Sequence, residues 1–318
     1  MPEAIFPLAG RRVWVAGHRG MVGSAIVRRL AGTGCEVLTV GRETVDLRRQ
    51  EPVERWLAAQ RPDAIVLAAA TVGGILANDT RPADFLADNL AIAQTVIEGA
   101  RRAGVPRLLF LGSTCIYPRA APVPTPESAL LTGPLEPTNE WYAIAKIAGI
   151  KLCQAYRRQH GCDFVSAMPT NLYGPGDNFD PVGSHVVPAL LAKFARAAVE
   201  GGPVEIWGTG RPRREFLHVD DCADACIHLL GHYSGESHVN VGAGADISIA
   251  ELARLIAEVV GYRGPLRFDP TRPDGAPHRR LDCGLIESLG WRPRIGLREG
   301  LEATWRWYRE TARRRGEP

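Results

Sequence analysis

Tyr142-Ala143-Ile144-Ala145-Lys146 sets a phenol and an ammonium four residues apart, on one face if the segment is helical. A cation beside a phenol favours its ionised form, so the pair could exchange a proton with a carbinol or carbonyl oxygen near neutral pH. With 7 tyrosines and 3 lysines in 318 residues, roughly 0.07 such pairs are expected by chance. Only Lys146, Lys151 and Lys193 among the 38 basic residues are lysines, so arginine is the default cation of this chain. A compact ammonium can contact a cofactor ribose and the phenol together, where the planar fork of arginine could not. A second stretch, Gly112-Ser113-Thr114-Cys115, follows the apolar run Leu108-Leu109-Phe110-Leu111, which reads as a buried strand. Ser113 ends that strand and offers a hydroxyl to the same substrate oxygen, completing a Ser-Tyr-Lys set. The thiol of Cys115, two residues on, points to chemistry beyond holding a cofactor.

A third motif, Gly17-His18-Arg19-Gly20-Met21-Val22-Gly23, follows the first apolar run and opens a helical pattern. Glycines so placed permit a tight turn and close backbone approach, and the helix N-terminus then receives a pyrophosphate. The spacing is that of the short-chain dehydrogenase branch of the dinucleotide-binding fold. An NAD site places an acid at the end of the second strand to bind the ribose 2′-hydroxyl. Here that strand ends Val40-Gly41-Arg42, which offers a cation to a 2′-phosphate, so NADP(H) is the expected cofactor. Asp46, four residues on, either caps a helix or reaches the ribose.

The elements that must position these groups alternate. Apolar runs at 13–16, 36–40, 64–68, 108–111 and 164–168 read as parallel strands, and periodic segments at 24–31, 52–60, 84–103 and 140–159 as crossover helices. The expected class is α/β, a Rossmann-type doubly wound parallel sheet with a smaller C-terminal substrate-binding lobe. A proline-rich stretch at 118–137 reads as a flap. From Gly174 onward the texture is loop-rich, interrupted by a strand and helix around 216–230. The expected division is a cofactor domain over 1–173 with a returning segment at 215–245, and a substrate lobe over 174–214 and 246–318.

Composition excludes several classes. A formal net charge of +3 without a concentrated basic block argues against nucleic acid as a partner, and the Arg313-Arg314-Arg315 tail reads as a solvated end. The N-terminus has no basic region followed by a long apolar stretch, and the apolar segment 65–77 is too short for a bilayer needing ~20 residues. Seven cysteines without a Cys-x-x-Cys pair imply neither a metal site nor a disulfide framework, so reduced thiols in the cytoplasm are expected.

Five motifs together carry a resemblance. Gly17-His18-Arg19-Gly20-Met21-Val22-Gly23-Ser24, Gly112-Ser113-Thr114-Cys115-Ile116-Tyr117-Pro118, Glu136-Pro137-Thr138-Asn139-Glu140, Met168-Pro169-Thr170-Asn171-Leu172-Tyr173-Gly174 and Arg214-Glu215-Phe216-Leu217-His218-Val219-Asp220-Asp221 occur in order. With them the chain, over nearly its whole length, resembles the extended short-chain dehydrogenase/reductases that act on nucleotide sugars. Within these it is similar to the epimerase-reductases of GDP-4-keto-6-deoxy sugars. Trp141 departs from the pattern, standing where the family commonly has proline.

The resemblance implies a role for each motif. Dehydratase relatives follow the serine or threonine with Asp-Glu, whereas Thr114 is followed by Cys115 and Ile116, so no carboxylate is available there. Cys115 becomes the expected base for the C3 and C5 protons, both α to the C4 ketone, and a nearby cation or polar donors would have to raise its thiolate fraction. His185, in Gly183-Ser184-His185-Val186, is the implied acid from the opposite ring face. Leu47, Leu111, Gly112, Ser113, Thr114, Lys146, Pro169, Thr170, Asn171, Leu172 and His185 are implied cofactor contacts. Asn171, Lys193, Trp207, Arg214 and Asp274 are implied nucleotide-sugar contacts. For Trp207 plain core packing is an equal alternative. A homodimer through the helix bearing Tyr142 and the 84–103 helix is also implied, the 91–103 portion being apolar on one side. Two rival readings share the motifs in part: an epimerase-reductase of the GDP-colitose type, and a non-catalytic NADP-binding sensor that would need neither Tyr142, Lys146 nor Cys115.

Overall fold

The computed structural model describes residues 3–180, 184–272 and 274–314. Gly183 and Arg315 of the motifs quoted above lie outside the described residues. In chain order the elements are β1 (Arg12–Ala16), α1 (Met21–Leu30), β2 (Glu36–Leu38), α2 (Gln50–Gln60), β3 (Ala64–Leu67), α3 (Ile75–Thr80), α4 (Pro82–Arg102), β4 (Arg107–Leu111), α5 (Glu140–His160), β5 (Asp163–Pro169) and β6 (Asn171–Tyr173). There follow α6 (Val186–Glu200), β7 (Val204–Trp207), β8 (Arg213–His218), α7 (Val219–His232), β9 (Val239–Val241), β10 (Asp246–Ser248), α8 (Ile249–Val260), β11 (Leu266–Asp269), β12 (His278–Arg279), α9 (Gly284–Ser288) and α10 (Leu297–Arg314).

Six strands form the main sheet in the order β2-β1-β3-β4-β5-β9, every neighbouring pair parallel. Strands β3 and β4 are buried along their whole length, as the continuous runs Ala64-Ile65-Val66-Leu67 and Arg107-Leu108-Leu109-Phe110-Leu111 require of a sheet covered on both faces. The chain winds outward from β1 to β2 and then returns to β3 on the other side of β1. That reversal opens a crevice outside the carboxyl ends of β1 and β3, where α/β sheets bind ligands. Buried Arg107 ties the sheet to α7: its guanidinium donates to the carbonyls of Leu229 and Leu230 at 3.2 and 3.0 Å and pairs with Asp163. A cation thereby meets carbonyls of the last turn at a helix C-terminus, where the dipole is negative.

A second core gathers Tyr173, Val187, Leu190, Leu191, Phe194, Val204, Ile206 and Phe216 with one face of α8. The loop-rich reading beyond Gly174 is corrected here, because α6, α8 and α10 occupy much of that region. Glycine and proline density obscures helices whose apolar periodicity is nevertheless present, as in the buried Leu252, Ala253, Ile256 and Ala257 of α8. Ser248 and Glu251 close a capping box on that helix. Glu215 on β8 is buried, and its carboxylate accepts from the amides of Gly244 and Leu281 at 2.8 and 2.9 Å. These bonds anchor the segment before β10 and the segment just after β12 against β8. No helix among the described residues is long and apolar enough to cross a membrane.

Candidate active site

The glycine-rich turn leaves β1 through Gly17, whose φ of +97° and whose approach to the next loop both demand glycine: a Cβ there would lie 2.6 Å from the Ala69 amide. A Cβ on Gly23 would lie 2.1 Å from the Gly17 carbonyl oxygen, so the helix can start against the turn only without a side chain. Helix α1 starts at Met21, three residues earlier than the periodicity indicated, so Met21, Val22 and Gly23 form its first turn. No side chain caps this terminus and no acid stands in its first turn. Its unpaired amides and positive dipole end are therefore available to an anion, and the Gly17-Gly20 cradle fits a dinucleotide pyrophosphate. His18 and Arg19 flank the turn, and Arg19 is exposed.

The neighbouring loop differs from expectation in two places. Strand β2 stops at Leu38, so Arg42 stands four residues beyond the strand, exposed in a turn, instead of ending it. Asp46 caps no helix by its side chain. Its carboxylate is held by the Arg48 side chain at 2.7 Å and by the Arg48 amide at 3.0 Å, which keeps its pKa at about 2. Arg48 also pairs with Asp88 at 3.0 Å, stapling this loop to α4, and Thr95 on α4 donates to the carbonyl of Leu47. The Ser-Tyr-Lys set does converge. Ser113 leaves β4 in extended conformation, and its hydroxyl accepts from the Cys115 amide at 3.5 Å, turning Thr114-Cys115-Ile116 into a short 3-10 helix. A Cβ on Gly112 would lie 2.0 Å from the Met168 methyl group, so a side chain there would have to displace the end of Met168.

Lys146 is 4% exposed, donates to the Leu111 carbonyl at 2.8 Å, and lies over the rings of Phe110 and Tyr142 at 5.0 and 5.6 Å. Burial lowers its pKa to about 8. Tyr142 packs edge-on against Phe85 at 6.4 Å. Its pKa is not drawn toward neutrality: burial and the neighbouring Cys115 push the phenol up. The ammonium faces the ring and is engaged by the Leu111 carbonyl, so desolvation outweighs its pull. Burial likewise pushes the Cys115 thiol up to about 11, against the opposing effects of Ser113, Lys146 and Arg279. The cations the chemistry would need are present, but desolvation of the thiolate outweighs them.

Pro169 ends β5 and Thr170 links it to β6; the Thr170 amide donates to the Val241 carbonyl at 3.0 Å, and Asn171 donates its side-chain amide to the Glu215 carbonyl at 2.9 Å. Leu172 is half-buried in β6. His185 stands exposed immediately before α6.

Trp207 is 45% exposed, which removes the core-packing alternative. Lys193 and Arg272 both lie over its ring, at 5.2 and 4.9 Å. Arg214 is half-buried beside Arg279, Asp274 and Glu136. Asp274 accepts from the amide and hydroxyl of Thr209 at 2.7 and 2.8 Å.

A family model described as "NAD dependent epimerase/dehydratase family" matches residues 13–242, well over half of the chain. The chain belongs to that family. GDP-L-fucose synthase from Sinorhizobium fredii is 57% identical to this chain over 302 residues, covering 95% of this chain and 96% of that one. GDP-L-fucose synthase 1 from Arabidopsis thaliana is 58% identical over 299 residues, covering 93% of each. Among solved structures, a GDP-mannoheptose C4 reductase from Campylobacter jejuni with NADP bound superposes with a TM-score of 0.86 at 35% identity, covering 94% of this chain and 98% of that one.

Within this family site, Arg279 on β12 is the feature that sequence reasoning missed. It donates to the Pro118 carbonyl at 3.2 Å and acts electrostatically on Cys115, although far away in sequence. One more arginine in so arginine-rich a chain carries no signal until folding places it. Among the described residues no cluster of ligating side chains could hold a metal ion.

Proposed function

We propose that the protein converts GDP-4-keto-6-deoxy-D-mannose to GDP-L-fucose by epimerising C3 and C5 and reducing C4 with NADPH. The observation that carries this reading is the thiol of Cys115 set beside Ser113, Tyr142 and Lys146, a proton-transfer group adjoining a carbonyl-binding set. The GDP-L-fucose synthase names of relatives above 55% identity support the substrate. The NADP held by the reductase of 35% identity supports the cofactor.

Ser113 and Tyr142 hydrogen-bond the C4 oxygen and stabilise the enolate formed when Cys115 removes a proton at C3 or C5. Arg279 and Lys146 offset part of the burial that opposes the thiolate. His185 returns a proton on the opposite face, and Tyr142 protonates the C4 oxygen during reduction. NADPH, when bound, supplies the hydride for C4. The α1 N-terminus and Gly17-Gly20 cradle hold its pyrophosphate, with Arg42 toward the 2′-phosphate, and the other cofactor contacts named from sequence line the crevice. Asn171, Lys193, Trp207, Arg214 and Asp274 receive the GDP-sugar; the exposed Trp207 face between two cations suits an anionic, planar ligand. The first core and its returning β9 form the cofactor domain, and the second core the substrate lobe.

A single-turnover reaction of purified protein with GDP-4-keto-6-deoxy-D-mannose and NADPH, read by product NMR, tests this. Formation of GDP-L-fucose supports it; a C4-reduced sugar with unchanged C3 and C5, or preference for the 3,6-dideoxy analogue, overturns it. For the cofactor, Arg42→Ala should weaken NADPH binding about ten- to a hundredfold and NADH binding little. Equal weakening of both would show that Arg42 does not meet the 2′-phosphate.

Dimerisation and a cytoplasmic location complete the reading. The apolar side of α4 is buried within its own chain, through Ile92, Ala93, Val96 and Ile97, so it does not itself argue for a partner. Trp141 and Ile144 on α5 remain exposed and support an interface there. Light scattering should give twice the 34.5 kDa chain mass at micromolar concentration; the monomer mass would refute the dimer. All seven cysteines are free thiols, as a reducing compartment favours.

A further inference from the structure

Glu43 links the two loops that bracket the crevice beside β1. Its carboxylate accepts from both terminal nitrogens of Arg19, Oε2 from Nη1 at 2.9 Å and Oε1 from Nη2 at 2.7 Å. It also folds back on its own turn: a Cβ on Gly41 would lie 2.0 Å from Oε1. The carboxylate thus lies between His18-Arg19 of the glycine-rich turn and Gly41-Arg42 of the turn after β2. That region, about 20 residues beyond the glycine motif, is where the ribose 2′ position of a dinucleotide is read. The two-pronged carboxylate grip on Arg19 has the geometry that a guanidinium offers equally to a phosphate.

We propose that Glu43 is a specificity-determining residue that occupies the Arg19 fork in place of a 2′-phosphate and so narrows the preference for NADPH over NADH. The inference rests on the NADP reading given above. With Arg42 alone the loop would present unopposed positive charge to a 2′-phosphate; Glu43 places a fixed negative charge beside it. For a 2′-phosphorylated ligand to engage Arg19, the carboxylate must let go of the fork and remain nearby, whereas a 2′-hydroxyl imposes no such exchange. Arg19 and Glu43 have side chains 67% and 61% exposed, so the pair is weak and readily exchanged. The effect is therefore a graded bias and not a block.

Binding of 2′,5′-ADP and 5′-ADP, measured by calorimetry at low ionic strength, separates the possibilities without reference to turnover. Glu43→Gln keeps the shape and removes the charge. It should tighten 2′,5′-ADP about three- to tenfold and change 5′-ADP less than twofold. In an Arg19→Ala background the same substitution should give a clearly smaller gain, since the fork is gone. An unchanged 2′,5′-ADP affinity in Glu43→Gln, or the same gain with and without Arg19, would overturn the proposal. A several-fold loss of 5′-ADP binding would also overturn it, by marking Glu43 as a ribose ligand. A wild-type protein that binds 5′-ADP but gains nothing from the 2′-phosphate, with Glu43→Gln behaving alike, would instead reject the NADP reading itself.

Discussion

Cys115→Ser will abolish most deuterium incorporation at C3 and C5 when the 4-keto sugar is incubated with the protein in D₂O without NADPH. A general base contributes typically 10²–10⁴-fold, and a serine hydroxyl ionises far less readily than even this elevated thiol, so a loss of about that size is expected. The substitution changes one atom and leaves Ser113, Tyr142 and Lys146 in place. Because burial holds the thiol up to about 11, the wild type is almost wholly protonated at Cys115 near neutrality. The thiolate fraction of an acid below its pKa grows tenfold per pH unit, so wild-type exchange should climb steeply between pH 6 and 8 and the variant should not follow. Ketone reduction should survive better than exchange, giving a slow D-configured product. NMR of recovered sugar measures both. Wild-type exchange in Cys115→Ser would leave the thiol a packing group beside the sheet and make His185 the next candidate base.

Tyr142→Phe will slow reduction of the 4-keto sugar by about 10²–10⁴-fold, the usual contribution of a positioned proton donor. The ring is retained, and with it the edge contact to Phe85 and the face beneath Lys146, so the fold should be undisturbed. Exchange at C3 and C5 should fall by only about tenfold, since Ser113 still donates to the enolate oxygen and a single hydrogen bond contributes ~1 kcal/mol or somewhat more. The separation between the two losses is the diagnostic quantity. The pH profile of reduction follows from Lys146. Burial has lowered its pKa to about 8, so the ammonium is present below that pH and disappears above it. Wild-type reduction should therefore decline as pH rises through about 8. Stopped-flow absorbance of NADPH at a series of pH values reads this directly; an undiminished rate in Tyr142→Phe would assign the proton to another group.

What the sequence determined on its own was local. Three glycines with the right spacing between a strand and a helix, a tyrosine and lysine one helical turn apart, and a serine closing an apolar run are statements about neighbours along the chain, and backbone geometry alone turns them into a cradle and a shared face. The parallel alternation of apolar runs and periodic helices was legible for the same reason. Where glycine and proline crowd the sequence, as beyond Gly174, the periodicity of α6, α8 and α10 was hidden although physically present.

Tertiary structure decided everything that depends on which distant groups meet and how much water is left between them. It paired Asp46 with Arg48, gave Arg19 the carboxylate of Glu43, and set Trp207 under Lys193 and Arg272. It brought Arg279 to the loop after β4 from a segment 161 positions away from Pro118. It also reversed the expectation for Tyr142, raising its pKa, and it raised that of Cys115 where nearby cations alone would have lowered it. A sequence lists the charges, but the balance between their attraction and the desolvation of each ionised form is set by burial, and burial exists only once the sheet has closed over the strand ends.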